Sequence, residues 1–281
     1  MEDDKVYAEK LSDKMKRLEN LVNYTLEKKK PVILRIDGRS FSKFTKNLDK
    51  PFDADLSRMF QNVCKNLHTE MDNVKFIYST SDEISILLTD WTNDNTEAWY
   101  NYRLQKLVSV ASSVVTVRFN EQIQDTINDY VRKFTSEPLE LRMLRTKNFQ
   151  EGLDDMFFSD EEIKYSIWLR KLFKAEFDCR AFNLDKDDVV PYFIFRQKDA
   201  IRNSISSLAN ANFSHKFLEG KNQQEKIDLI KEATGIDWNE LSTIQKMGFA
   251  VYKDDMTGQW IVDDNIPEFM INRNYIQRFL D

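Results

Sequence analysis

Apolar residues near the start of the chain recur at helical spacing. Leu11, Met15, Leu18 and the pair Leu21–Val22 share one face of a charged segment, which predicts a helix over about 5–29. Pro31 stops it. The run Val32-Ile33-Leu34-Arg35-Ile36-Asp37 reads as a strand that Gly38 breaks. Asp53 is a good N-cap for a second helix reaching about Met71. Val74–Ser79 and Ile84–Leu88 are two more strands, joined tightly through Thr80-Ser81-Asp82 as a hairpin. A third helix is expected over roughly 95–122, with Leu104, Leu107, Val108, Ala111, Val114 and Val115 on its apolar side. The stretch of about 123–176 is charged and mostly helical in pattern. Phe177–Leu184 reads as a fourth strand, and Val190 to about Ala211 as a further helix. The tail, from about 224, carries a short helix and then a hairpin of Gly248–Tyr252 and Trp260–Val262.

The core order is therefore β-α-β-β-α-β, the ferredoxin-like split arrangement of an α+β fold. Residues 1–210 are expected to form this unit, with a charged helical insertion at about 123–176. Residues 211–281 are expected to form a C-terminal α/β extension. The fold hosts many functions, so function has to be read from the site.

Composition narrows the class. Of 281 residues, 41% are hydrophobic and 31% charged, the balance of a globular protein. A net charge of −6 argues against a protein that coats nucleic acid indiscriminately, yet 41 Lys and Arg residues suffice for a local basic groove. Cys64 and Cys179 have neither metal spacing nor a disulfide framework, the N-terminus is acidic without an apolar stretch, and no apolar run is long enough for a membrane span. These features lead to the expectation of a cytoplasmic protein without membrane contact.

The chemistry sits at the strand ends. Asp37 closes the first strand, and Asp82 and Glu83 lie at the central hairpin turn. In a ferredoxin-like sheet those strands are neighbours, so the carboxylates meet at one end of the sheet. Magnesium takes hard oxygen ligands, typically one or two carboxylates plus substrate phosphates. Paired ions clamp the attacking and leaving oxygens in nucleotidyl transfer, as in a polymerase palm. Gly38 permits close backbone approach, so the N–H groups of Arg39, Ser40, Phe41 and Ser42 are candidates for wrapping a triphosphate. Lys50, Arg103 and Lys106 are candidate phosphate partners, the last two at i and i+3 on one helix. Taken singly, Asp-Gly and Ser-Asp-Glu are also ordinary turn chemistry, and Arg103 with Lys106 an ordinary solvated face. Their value lies in the order along the chain.

Several separated motifs resemble the tRNA-His guanylyltransferase family, including its "like" members. They are Arg35-Ile36-Asp37-Gly38-Arg39-Ser40-Phe41 with Lys50-Pro51, Ser79-Thr80-Ser81-Asp82-Glu83-Ile84-Ser85, Phe177-Asp178-Cys179-Arg180 with Phe182-Asn183, Tyr192 with Arg196–Ser204, and Phe213-Ser214-His215-Lys216 with Leu218 and Lys221. The set spans about 32–252. The resemblance implies a palm that works in the 3′→5′ direction on the 5′ end of tRNA. It first activates a 5′-monophosphate with ATP or GTP, then uses nucleoside triphosphates as substrates. It implies two Mg2+ ions on Asp37 and Asp82, with the Gly38 carbonyl joining one and Glu83 supporting catalysis. By the same resemblance, Asp37 to Ser42, Ser81 and Asp82 contact the nucleotide, while Lys50, Arg103 and Lys106 hold phosphates. Arg196, Arg202, Asn203, His215 and Lys216 are candidate RNA contacts. Where eukaryotic members carry His-x-Ile-Asn-Asn, this chain has Ile201-Arg202-Asn203-Ser204-Ile205, without His. That feature points to the "like" branch, whose members repair truncated tRNA on a template. A homotetramer is implied as well. Two other readings stand beside this one: a palm-fold nucleotidyl cyclase or signalling-nucleotide transferase, and a non-catalytic tRNA-binding protein.

Overall fold

The computed structural model describes residues 2–91, 96–136 and 159–280. Helices of two turns or more are numbered here with the strands: α1 (Glu2–Asn20), β1 (Val32–Gly38), α2 (Ala54–Asn66), β2 (Val74–Thr80), β3 (Glu83–Leu88), α3 (Leu104–Ser136), α4 (Asp160–Lys171), β4 (Phe177–Asn183), α5 (Lys186–Asn212), α6 (Gln223–Thr234), β5 (Phe249–Lys253) and β6 (Trp260–Asp263). The strands form one six-stranded sheet in the order β4-β1-β3-β2-β5-β6, every adjacent pair antiparallel. Its first four strands have the split βαβ order that the sequence pattern predicts. β5 and β6, from the stretch after residue 211, extend the same sheet beyond β2.

Alternation decides what each face of the sheet meets. Val32, Leu34 and Ile36 of β1 pack with Ile84, Ile86 and Leu88 of β3 against α2, α3 and Trp168 of α4. Ile33, Phe76, Tyr78 and Leu87 face the other way, under Val189, Val190 and Phe193 of α5 and the C-terminal Ile266, Phe269 and Ile276. Helical cover on both faces explains why the central strands are nearly continuous apolar runs. A smaller cluster of Leu208, Ala209, Leu218 and Ile230 seats α6 on the far end of α5. Among the described residues, no helix is long and apolar enough to cross a membrane.

Several helix boundaries depart from the sequence pattern. The second helix ends at Asn66 rather than near Met71, followed by the tight turn Leu67–Thr69. The first helix ends at Asn20 rather than near 29, because the chain beyond it is captured by a distant partner. Leu26 N–H donates to the Tyr102 carbonyl at 2.9 Å and Leu104 N–H to the Tyr24 carbonyl at 2.8 Å. Its apolar positions Leu11, Met15 and Leu18 are exposed. The third helix starts at Leu104 rather than 95, because Tyr100 and Asn101 are left-handed (φ 49° and 53°), and that backbone cannot continue a right-handed helix. It then runs to Ser136, so the beginning of the charged segment belongs to this helix. Residues 137–158 of that segment lie outside the described residues.

Beneath the end of β1 lies a knot of phenylalanines. Phe41, Phe44, Phe60, Phe119 and Phe177 pack with ring centroids 4.7 to 6.1 Å apart. A side chain at Gly38 would run into the Phe41 ring, so glycine there lets the chain fold back into this knot. Gly248, at φ 81°, is held equally tightly: a Cβ would strike the Ser79 carbonyl of β2. Gly248→Ala is therefore expected to lower stability by about 2 kcal/mol or more, through strain plus overlap. The midpoint of urea unfolding measures this, and an unchanged midpoint would show that β5 does not press on β2.

Candidate active site

The sheet register brings the carboxylates together. Asp37, next to last in β1, lies opposite Glu83 of β3 and opposite Asp178 of β4. Residues directly opposite share a face, and so does Arg35, two positions back along β1. Asp82 sits in the two-residue turn between β2 and β3, whose first residue, Ser81, is left-handed at φ 52°. The Gly38 N–H donates to the Asp82 carbonyl at 3.1 Å, stitching the end of β1 to that turn. The Ser81 hydroxyl donates to Asp82 Oδ1 at 2.9 Å. Asp37, Gly38, Ser81 and Asp82 thus share one end of the sheet.

The neighbouring acids are treated differently by their surroundings. Glu83, 10% exposed, is gripped by two arginines. Arg35 reaches it through Nε at 2.7 Å and a terminal nitrogen at 2.6 Å. Arg196 of α5 donates through Nε to Oε1 at 2.6 Å and through a terminal nitrogen to Oε2 at 2.5 Å. Both Glu83 oxygens are therefore committed to holding β1, β3 and α5 together. Burial works against the Arg35 charge, but Glu83 and Asp37 outweigh it and raise its pKa. Asp82 has no such clamp. Burial raises its carboxyl pKa, the Ser81 hydroxyl opposes that rise, and the charges of Asp37 and Glu83 add to it. Asp37 meets Arg35 at a long 3.8 Å and keeps 36% of its side chain exposed.

This donor set suits a hard divalent cation that brings its own further ligands. Among the described residues, no group of three or more His, Cys, Asp or Glu side chains could hold a metal. Magnesium bound with a nucleotide needs just one or two carboxylates, because phosphate oxygens complete its shell. Asp37 and Asp82, whose charges repel at an open end of the sheet, are two carboxylates of that kind. The Gly38 carbonyl is adjacent along the chain.

Beyond Gly38 the backbone turns sharply. Ser40 is left-handed at φ 54°, and its carbonyl accepts the Lys43 N–H at 2.9 Å to open the single helical turn Phe41–Phe44. Phe41 is buried in the phenylalanine knot, whereas Ser40 and Ser42 are exposed. Arg39 is anchored at the entrance to β4: its N–H donates to the Glu176 carbonyl at 2.8 Å, and its guanidinium pairs with the Glu176 carboxylate at 2.7 Å. Lys50 is exposed just before Pro51. A cavity of about 420 Å³ opens beside the hairpin turn, bounded by Pro51, Asp53, Thr80, Ser81, Asn203 and Gln245 among others.

Other candidate residues lie elsewhere. Arg103 forms a bridge with Thr25, at the end where β1 begins. Five strand steps separate Val32 from Asp37, or about 17 Å. Within one chain, Arg103 and the exposed Lys106 do not share the carboxylates' end of the sheet. Arg196 is spent on Glu83 and Asp199. Arg202 is 59% exposed and pairs with Asp199 at 2.8 Å. Asn203 lines the cavity. His215 and Lys216 sit exposed on the single turn His215–Leu218.

These features can be set beside known proteins. The family model Thg1, described as tRNAHis guanylyltransferase, matches residues 12–185. The chain belongs to that family. Among solved structures, a bacterial tRNA(His) guanylyltransferase (Thg1)-like protein in complex with ATP is 36% identical, with a TM-score of 0.76 over 96% of this chain and 99% of that one. A structure of such a bacterial protein in complex with GTP gives 33% identity and a TM-score of 0.69 over the same shares. An uncharacterized protein, R259, of Acanthamoeba polyphaga mimivirus is 26% identical over 96% of this chain and 84% of its own length. The family is one of nucleotidyltransferases, so the enzyme class follows from membership.

Sequence reasoning did not single out the Arg35–Glu83–Arg196 clamp or the position of Asp178 beside Asp37. Arg35 carried a signal, since a charge inside an otherwise apolar buried strand needs a partner. The contrast between Glu83 and Asp82 gives a paired prediction. Glu83→Gln leaves two confined arginines short of a counter-charge and is expected to lose about 3–5 kcal/mol. Asp82→Asn should instead raise the melting temperature without metal at neutral pH, because ionising a carboxyl with a raised folded pKa opposes folding. That gain should shrink as pH falls through the raised Asp82 pKa and be gone below the ordinary carboxylate range. Thermal denaturation of both variants checks the pair, and destabilisation by Asp82→Asn would refute the electrostatic account.

Proposed function

We propose that the protein is a 3′–5′ nucleotidyltransferase that extends the 5′ end of tRNA. The observation that carries this reading is the pair Asp37–Asp82, stitched together at one end of the sheet by the Gly38–Asp82 bond, with the Arg39–Ser42 loop following Asp37 and the 420 Å³ cavity reaching Ser81, in a chain of this family. Asp37 and Asp82, with the Gly38 carbonyl, would hold two magnesium ions. When bound, these supply charge neutralisation on the phosphoryl oxygens and alignment of the attacking and leaving oxygens.

The chain's own residues prepare that end of the sheet. Ser81 orients the Asp82 carboxylate, and the Gly38–Asp82 bond fixes its distance from Asp37. Glu83 keeps Arg35 beside Asp37 without competing for a cation. With the Arg39 N–H committed to Glu176, the backbone N–H groups of Ser40, Phe41 and Ser42 are the ones left for a triphosphate, and Lys50 offers a flexible charge. The cavity beside Ser81 carries hydroxyl and amide groups of the kind that read the edge of a nucleobase. In the proposed reaction a 5′-monophosphate oxygen of the RNA attacks the α-phosphorus of ATP or GTP, and pyrophosphate leaves. The 3′-hydroxyl of an incoming nucleotide then attacks the activated 5′ phosphorus, and the nucleoside monophosphate leaves. The ATP and GTP complexes of the bacterial relatives support the use of both nucleotides. Arg202, Asn203, His215 and Lys216 remain the RNA contacts we favour. A cytoplasmic homotetramer, in which Arg103 and Lys106 serve phosphates distant from their own chain's carboxylates, belongs to the same reading.

The test is incubation with magnesium, ATP, labelled nucleoside triphosphates and 5′-monophosphorylated tRNA, either full-length or lacking its first nucleotide. Extension is expected. Asp37→Ala and Asp82→Ala should each reduce it by about a thousandfold or more, the scale of several kcal/mol of lost charge stabilisation, while circular dichroism stays unchanged. Extension of truncated tRNA by the base complementary to the opposite strand marks templated repair. Guanine added to full-length tRNA-His marks the other activity. Failure to extend either RNA, with a cyclic product formed from triphosphate and magnesium alone, would replace this reading with a cyclase.

A further inference from the structure

The charged segment before β4 ends in α4, and one face of α4 reaches the stretch that follows the candidate triphosphate loop through three side chains. Lys164, Trp168 and Lys171 stand at i, i+4 and i+7, one above another on that face. Lys171 Nζ donates to the Phe44 carbonyl, at the end of the turn Phe41–Phe44, and to the Lys46 carbonyl at 2.9 Å. Its ammonium also lies 5.2 Å from the centre of the Phe44 ring. Lys164 Nζ pairs with Asp49 Oδ2 at 2.7 Å. Trp168 Nε1 donates to Asp55 Oδ2 at 3.2 Å, an oxygen that also accepts the Tyr130 hydroxyl of α3 at 2.5 Å. The stretch 44–55 is thus held at its beginning, middle and end by one helix.

Lys171 is the unusual member. It is 9% exposed, and burial pushes its pKa below the ordinary lysine value, with Asp53 opposing. A buried ammonium is costly unless its protons are taken up, and here two backbone carbonyls take them. Carbonyls at the end of a helical turn lack intrahelical partners. Without Lys171 both carbonyls would lose this donor, and the turn would have to shift to replace it with water. That turn is continuous with Arg39–Ser42.

We propose that Lys171 is a positioning residue, which holds the Arg39–Asp49 loop in the shape that receives a triphosphate, with α4 as its buttress. This rests on the reading that the loop after Asp37 binds the nucleotide. Lys171 itself touches no substrate. Its removal should loosen nucleotide binding while leaving the RNA and the carboxylate pair in place.

The experiment is steady-state kinetics of the full chain carrying Lys171→Met, which keeps the apolar stem. The KM for the nucleoside triphosphate should rise about tenfold, with kcat and the KM for tRNA within about twofold, the pattern of lost binding rather than lost chemistry. Ile230→Val, in the separate cluster under α6, is the control for general destabilisation. A triphosphate KM in Lys171→Met no higher than in that control overturns the proposal. Should Lys171→Met fail to fold, the double variant Lys164→Gln/Trp168→Phe tests the same buttress. A rise of about threefold in the triphosphate KM supports it, and an unchanged KM overturns it. Asp37→Asn and Asp82→Asn separate the two levels of inference. If both stay active, the functional reading fails. If both are inactive while Lys171→Met binds triphosphate normally, the positioning role alone fails.

Discussion

The grip of two arginines on Glu83 is the contact on which the site depends. Arg35 comes from β1, Glu83 from β3 and Arg196 from α5, so three elements that meet from different parts of the chain are fixed to one another by a single carboxylate. A charge so deeply placed is tolerable when every lone pair has a partner. Here both oxygens do. The result is a rigid platform from which Asp37 and Asp82 project with their charge largely uncompensated. Adjacent acids thus have opposite surroundings: Glu83 is consumed by the fold, and Asp82 has no arginine to hold it.

Much of this was legible in the sequence, for identifiable reasons. The strand ending in Asp37-Gly38 and the hairpin carrying Ser81-Asp82-Glu83 are set by local alternation and turn chemistry, and once the split βαβ order is recognised the register follows. What local pattern could not reveal were tertiary decisions. Tyr24–Leu26 pair with residues near 102, which ends the first helix early. Tyr100 and Asn101 adopt left-handed backbone without a glycine to announce it. Lys171 looks like any lysine in a charged helix, and its burial depends on the approach of Phe44 and Lys46, more than a hundred residues earlier. The far placement of Arg103 was equally hidden, because their i, i+3 spacing shows that Arg103 and Lys106 share a face but not which end of the sheet that face approaches.

The architecture also shows how one sheet can serve chemistry and assembly of the chain at once. β5 and β6 come from the C-terminal stretch yet complete the side of the sheet next to β2. Tyr78 of β2 donates its hydroxyl to the Met247 carbonyl at 2.7 Å, and Ser204 of α5 donates to the Gln245 carbonyl at 2.7 Å. The wall of the cavity beyond Ser81 is therefore built by residues about 160 positions downstream of the hairpin. Motifs that lie far apart in the chain are neighbours there.

The phenylalanine knot reaches right up to the loop after Asp37. Phe41 belongs to the core and to the candidate nucleotide loop at once, and no compliant layer separates interior packing from the surface that meets substrate. A lesion at Phe60 or Phe119 would travel one ring's width before it altered the loop. In a genetic screen for lost activity, such interior positions would emerge alongside Asp37 although neither lies on the surface of the loop. The boundary between a folding defect and a catalytic defect is, at this end of the molecule, about the thickness of a benzene ring.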